Sequence, residues 1–193
     1  MKNHVISDRE LVKQYIQGNE ACLEMLINRH KNKIFTTILL IVNDTYIAED
    51  IFQETFIKVI KTLRSGKYNE EGKFLPWIVR IARNMSIDHF RRSKRMPKVK
   101  SSDGEDIFRT FEISEENRED KYISDQKEKT VRELINMLPN EQKEVLVLRH
   151  YGNMSFKEIA DLTGVSINTA LGRMRYALNN MRKIISEKSI TLQ

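Results

Sequence analysis

The chain carries one cysteine, three prolines and seven glycines among 193 residues. The lone cysteine, Cys22, excludes an internal disulfide and any zinc site built on thiolates, and it suits a reducing compartment. So little proline and glycine excludes an all-β design, which would turn roughly every ten residues. Long helices are expected instead. Long apolar runs are also missing: the longest, Ile38 to Val42, falls far short of the ~20 residues that span a bilayer. Lys2, Asp8, Arg9 and Glu10 punctuate the N-terminus before any apolar stretch develops, so no secretory signal is read there. A cytoplasmic protein, neither exported nor embedded in a membrane, is the expectation. No nucleophile–base pair and no metal-ligand cluster is visible either. The chain therefore reads as a non-enzyme without metal or cofactor.

What is present suits a globular chain, with 40% hydrophobic and 31% charged residues. The net charge of +6 is unevenly spread. Residues 1–100 hold 19 Lys/Arg against 11 Asp/Glu, residues 101–126 hold 3 against 9, and residues 127–193 hold 11 against 7. Two basic blocks thus flank an acidic one. Basic blocks either follow a polyanion or are simply solvated, and charge alone does not choose. The acidic middle has no sustained helical stripe and reads as a linker, although Ile107, Phe108, Phe111 and Ile113 could dock somewhere. The expected fold class is all-α: two small four-helix domains joined by that linker.

In the first block, Ser7 and Glu10 make a capping box before a helix with Leu11, Val12, Tyr15 and Ile16, stopped at Gly18. A second helix from about Asn19 spaces Leu23, Ile27, His30, Ile34, Ile38 and Val42 by three and four. His30 and His89 lie on apolar stripes and read as core residues rather than metal ligands. A third helix, about Tyr46 to Leu63, has the core stripe Ala48, Phe52, Phe56, Val59 and Leu63. Its other side holds Asp50, Gln53, Glu54 and Ile57, flanked by Ile47 and Ile60. An isoleucine ringed by carboxylates and an amide suits a protein partner. A solvated face is the plainer alternative. A metal reading of Asp50 and Glu54 lacks a third ligand.

Pro76 suits the first turn of a fourth helix, with an inward stripe of Ile78, Ile81, Ala82, Met85 and His89. Opposite lie Arg80, Arg83, Asn84 and Arg91, with Trp77 at the edge and Lys73 before it; six of the ten residues from Arg91 to Lys100 are basic. Arginines on one face with Tyr68, Phe74 and Trp77 nearby match a single-stranded DNA site, where cations follow phosphates and planar groups hold unstacked bases. Phe74 and Trp77 could equally pack in the core.

In the last block, Val131, Leu134, Ile135 and Leu138 mark a helix closed by Pro139, and Val145, Leu146 and Leu148 the next, ending near Tyr151-Gly152-Asn153. Ser155 and Glu158 form a second capping box before Phe156, Ile159, Ala160 and Leu162. Gly164 then breaks the helix, Val165 fills the angle, and Ser166 caps a helix through Ala170, Met174, Ala177, Met181 and Ile185. A small residue, a glycine four positions on and an aliphatic after it fit a DNA-binding helix-turn-helix better than a plain hairpin. The second helix would enter the major groove with Ser166, Asn168, Thr169 and Arg173 near its leading end, while Arg175 and Arg182 reach phosphates.

Together these features resemble the bacterial extracytoplasmic function (ECF) sigma factors. Tyr46-Ile47-Ala48-Glu49-Asp50-Ile51-Phe52-Gln53-Glu54-Thr55-Phe56 is similar to that family's polymerase-binding stretch, commonly A-E-D-L-V-Q-E-V-F. Phe74 to Asn84 resembles its promoter-melting segment, and Leu138 to Arg149 with Met154 to Arg175 its C-terminal region. The resemblance implies three parts: residues 1–96 a sigma region 2 domain, 97–126 a flexible acidic linker, and 127–193 a sigma region 4 domain. It implies that Asp50, Gln53, Glu54 and Ile57 contact core RNA polymerase, and that the loop from Ser65 to Lys73, with Trp77, Arg80, Arg83, Asn84 and Arg91, opens and holds the −10 element of promoter DNA. Ser166, Asn168, Thr169, Leu171, Gly172, Arg173 and Arg175 would read the −35 element.

The recognition helix departs from the family pattern. Thr169-Ala170 is followed by Leu171 and Gly172 where Lys or Arg and then Ser are usual. Leucine suits a thymine methyl, and the helical glycine costs roughly 1 kcal/mol against alanine. With no sensing domain expected after Gln193, the resemblance implies regulation from outside, by an anti-sigma factor. The alternative is an ordinary helix-turn-helix regulator that binds duplex DNA without polymerase.

Overall fold

The computed structural model describes residues 6–69, 71–93 and 129–188, and all regular structure among them is helical. The helices are α1 (Asp8–Ile16), α2 (Glu20–Val42), α3 (Thr45–Arg64) and α4 (Phe74–Ser93), then α5 (described over 129–136), α6 (Asn140–His150), α7 (Phe156–Thr163) and α8 (Ile167–Glu187). Contacts divide the chain into two compact units, one built on α1–α4 and the other on α5–α8. The acidic stretch with Ile107, Phe108, Phe111 and Ile113, and the basic residues 94–100, lie outside the described residues.

In the first unit α2 is the hub, packed against α1, α3 and α4. A helix with three neighbours buries more than one stripe. Beside the expected Leu23, His30, Ile34, Ile38 and Val42, the core takes Cys22, Leu26, Phe35, Thr37 and Leu40, while Ile27 is only half-buried. The Cys22 thiol donates to Gln14 Oε1 at 3.2 Å. Asn43 ends α2 in the left-handed region at φ 55°, its amide on the Leu39 carbonyl at 2.7 Å. Asp44 then caps α3, accepting from the Ile47 amide at 3.0 Å.

Only half of the box expected at α1 forms. The Ser7 hydroxyl accepts from the Glu10 amide at 3.3 Å, but the Glu10 carboxylate accepts from Gln14 Nε2 at 3.0 Å. The neighbouring carboxylate matters more. Asp8, in the first turn of α1, accepts from Arg29 Nη1 at 2.5 Å and from His30 Nε2 at 2.6 Å, clipping α1 to α2. His30 is therefore a core residue held through Nε2, its Nδ1 buried without a hydrogen-bond partner among the described residues and its ring 6.0 Å from that of Phe74. His89 is half-buried beside Phe90.

Two inward stripes differ from expectation. On α3, Ile51 and Thr55 are buried and Phe52 is half-buried, stacked edge-on between Phe35 and Phe56. On α4, Leu75, Val79 and Ser86 are buried, while Ile81, Met85 and His89 are half-exposed. The helix is turned so that Leu75, Ile78, Val79, Ala82 and Ser86 lie on its buried side. Ser86 is tolerated there because its hydroxyl donates to the Ala82 carbonyl at 2.9 Å.

The second unit packs α6 against α7 and α8. Val145, Leu146, Val147 and Leu148 are all buried, and Leu134, Ile135 and Leu138 join them. Arg149 clamps the α6–α7 connection, donating to the Met154 carbonyl at 2.8 Å with its guanidinium 5.3 Å from the centre of the Phe156 ring. Asn180 of α8 donates to Gln142 of α6 at 2.8 Å.

Candidate partner and nucleic-acid interfaces

With Ala48, Ile51, Thr55, Phe56, Val59 and Leu63 inward, the 3.6-residue period turns Asp50, Gln53, Glu54 and Ile57 outward, and all four are exposed. Ile57 keeps 52% of its surface in solvent. None of Asp50, Gln53 and Glu54 bonds to a side chain among the described residues. Their acceptors stay open to a partner. Tyr46, four residues before Asp50, extends the same face and is 58% exposed. Sequence reasoning passed over it, although that spacing from Asp50 marked it.

The fourth helix separates its aromatics by role. Phe74 is wholly buried, so it supports the site from the core and cannot stack on a base. Trp77 is half-exposed and packs on Tyr68 with ring centroids 4.2 Å apart. Phe74 lies 6.0 Å from Trp77 and 6.2 Å from Tyr68. The tryptophan is thus braced before anything binds. Lys73, Arg80, Asn84 and Arg91 are exposed, whereas Arg83 sits at the flank, half-buried, its Nη1 3.4 Å from Asn84 Oδ1. Arg91 also pairs with Asp88 at 3.5 Å.

In the second unit every cap of the expected helix-turn-helix is present. Ser155 accepts from the Glu158 amide at 3.2 Å and its own amide donates to Glu158 Oε2 at 2.8 Å, a complete capping box. Gly164 closes α7 at φ 70°, and the Val165 amide reaches back to the Ala160 carbonyl at 3.1 Å. Ser166 opens α8 by accepting from the Thr169 amide at 3.0 Å. Ala160, Ala170 and Ala177 are buried, so small side chains let α7 and α8 cross closely.

Asn168, Leu171 and Arg175 are exposed on α8, Gly172 lies between them, and Arg173 is half-buried toward the unit. The Ser166 and Thr169 hydroxyls lie 2.9 Å apart and are engaged in the cap. Exposed Arg182 shares a hydrogen bond with Asn179 at 3.3 Å. No group of three or more metal-ligating side chains occurs among the described residues. No helix there is long and apolar enough to cross a membrane.

A carboxylate–isoleucine face and an arginine face on one helical unit, followed by a capped helix-turn-helix, are what a two-module DNA-binding protein would present. Family models agree. Sigma-70 region 2 matches residues 26–96, and Sigma-70 region 4 matches residues 128–178. Over 86% of its length the chain is 29% identical to the RNA polymerase sigma-H factor of Pseudomonas aeruginosa, covering 88% of that protein. It is 26% identical to the ECF sigma factor SigW of Bacillus subtilis, over 91% of this chain and 95% of that one. Among solved structures, CnrH in complex with the cytosolic domain of CnrY shares the fold at TM-score 0.62 and 21% identity, over 94% of this chain and 99% of that one. RpoE of Bartonella quintana, in complex with the anti-sigma factor NepR, does so at TM-score 0.60 and 16% identity, over 85% and 96%. The chain belongs to the ECF sigma factors: it is an RNA polymerase sigma factor that directs transcription initiation. Sigma factors bind core polymerase and promoter DNA, which sets aside a regulator that binds duplex DNA alone.

Proposed function

We propose a division of labour among three faces. The outward side of α3, Asp50, Gln53, Glu54 and Ile57 with Tyr46, docks on core polymerase. On α4, Trp77, Arg80, Asn84 and Arg91, with Lys73 and Arg83 at the flanks, hold the −10 strand once it opens, cations on phosphates and the braced indole against a base. The outward side of α8 reads the −35 element as duplex. Residues 1–96 and 127–193 act as the two DNA-directed domains, and residues 97–126 tether them. The chain acts by recognition alone, in the cytosol where polymerase works. An anti-sigma factor holds it inactive, as the anti-sigma factor NepR bound to the RpoE of Bartonella quintana suggests.

The observation that carries this reading is the exposed, unbonded carboxylate–amide–isoleucine face of α3, which folding leaves without a structural task. Run-off transcription with core polymerase on genomic fragments tests it. Asp50→Ala/Glu54→Ala is expected to lower transcript yield at least about ten-fold, the scale of losing two charged interface contacts. Thermal unfolding should barely change, since exposed substitutions of this kind cost about 0.5 kcal/mol or less. A double variant that initiates as well as wild type removes the polymerase face from α3.

A further inference from the structure

We infer that Leu171 and Gly172 form a notch on α8 that reads a thymine methyl group in the −35 duplex, making base identity there an apolar rather than a hydrogen-bonded choice. The inference rests on the reading of α8 as the −35 helix. Helical periodicity places Asn168, Leu171, Gly172 and Arg175 as a diamond, each three or four residues from the next. Ala170 and Ala177 are buried on the opposite side.

Leu171 stands in the diamond with 44% of its surface exposed. Beside it, a methyl group built on Gly172 would meet nothing within 4 Å, and the backbone there is ordinary helix. The glycine therefore serves neither a turn nor a close contact inside this protein. It leaves a half-buried gap between the exposed Asn168, Leu171 and Arg175, through which a duplex can come nearer the helix axis than a larger side chain would permit. The leucine sits at the rim of that gap.

The polar competitors are occupied or placed to the sides. The Ser166 and Thr169 hydroxyls are engaged with each other and with the Thr169 amide. Asn168 and Arg175 make no hydrogen bond or ion pair with the described residues. They flank the notch as an adenine-reading amide and a guanine- or phosphate-reading guanidinium. Among base-pair edges in the major groove, only thymine presents a methyl group. Leucine has no hydrogen-bond donor or acceptor with which to read any other edge.

The test uses full-length protein with core polymerase on a promoter recovered by run-off transcription. Each thymine of its −35 segment is replaced in turn by deoxyuridine, which removes the methyl and nothing else. One position should lower open-complex yield roughly four-fold for wild type, the worth of one methyl withdrawn from water, and leave Leu171→Ala unchanged. Gly172→Ala should raise or maintain the thermal midpoint while lowering yield on the same promoter about ten-fold or more. Uniform tolerance of deoxyuridine, or a loss that persists in Leu171→Ala, overturns the notch. A Gly172→Ala protein that transcribes normally does the same. Scrambling the whole −35 segment separates the two levels: if that changes nothing, the −35 reading of α8 falls as well.

Discussion

The two units reach a defined shape by different means. In the first, α2 is wrapped by three helices, and the arginine and carboxylate faces sit on the outer sides of helices whose inner sides are deeply buried. In the second, α7 spans only eight residues and buries Ile159 and Ala160, while α8 buries just two alanines. Burial that slight leaves the angle of the recognition helix to the capping box, the left-handed Gly164 and the Ser166 cap. The first unit is held by packing on every helix; in the second, packing centres on α6, and chain ends fix the turn between α7 and α8. The difference teaches where each is vulnerable: large core side chains in the first, single backbone conformations in the second.

The largest expected effect comes from Phe74→Ala. Emptying a wholly buried aromatic site should cost about 3–5 kcal/mol. Trp77 is the single tryptophan, so its fluorescence follows the first unit alone. Its urea midpoint should fall sharply while circular dichroism retains a transition at the wild-type position for the second unit. One shifted transition in both signals would mean that the units unfold together.

Gly164→Val attacks the other mode of construction. Placing a β-branched residue at φ 70° should cost about 2 kcal/mol. The loss should appear in circular dichroism and leave the Trp77 transition in place. A valine accepted without loss would show that packing, and not the turn, sets the α7–α8 angle.

A smaller effect belongs to Asp8→Asn, which removes a polar clip between α1 and α2. It should cost about 1–2 kcal/mol near neutral pH, the scale of charge-assisted hydrogen bonds. Burial pushes the Asp8 carboxyl up, but the hydrogen bonds and charges of His30 and Arg29 outweigh it and hold the group below 3.8. The unfolded chain then binds more protons than the folded one just below that value, so the contribution is complete above 3.8 and is lost as pH falls through the folded value. Denaturation of wild type and variant should differ fully at about pH 5 and converge in stronger acid. A gap that stays constant down to about pH 2 would mean Asp8 does not supply it as a carboxylate.

Caps and turn were legible residue by residue, because Ser155 with Glu158, Gly164, and Ser166 each act within one turn of chain. The outward set on α3 was legible for a related reason: a charged residue facing the core is costly, so Asp50 and Glu54 had to face out. Less was legible where several apolar residues competed for one core. Ile81 and Val79 are equally greasy, and no local rule states which meets α2. Tyr15 shows the same limit: its hydroxyl accepts from Arg64 Nε at 3.1 Å, from a residue 49 positions away.

By itself, then, the sequence determined helix order, ends and charged faces, since periodicity, capping and desolvation act over neighbouring residues. Only the tertiary structure decided the rotation of α4, which put Val79 and Ser86 inside. It also assigned Phe74 to the core and Trp77 to the surface, and Asp8 to His30 across 22 positions. Those choices depend on the shape of the facing helices, and close packing admits one arrangement where the sequence pattern allows several.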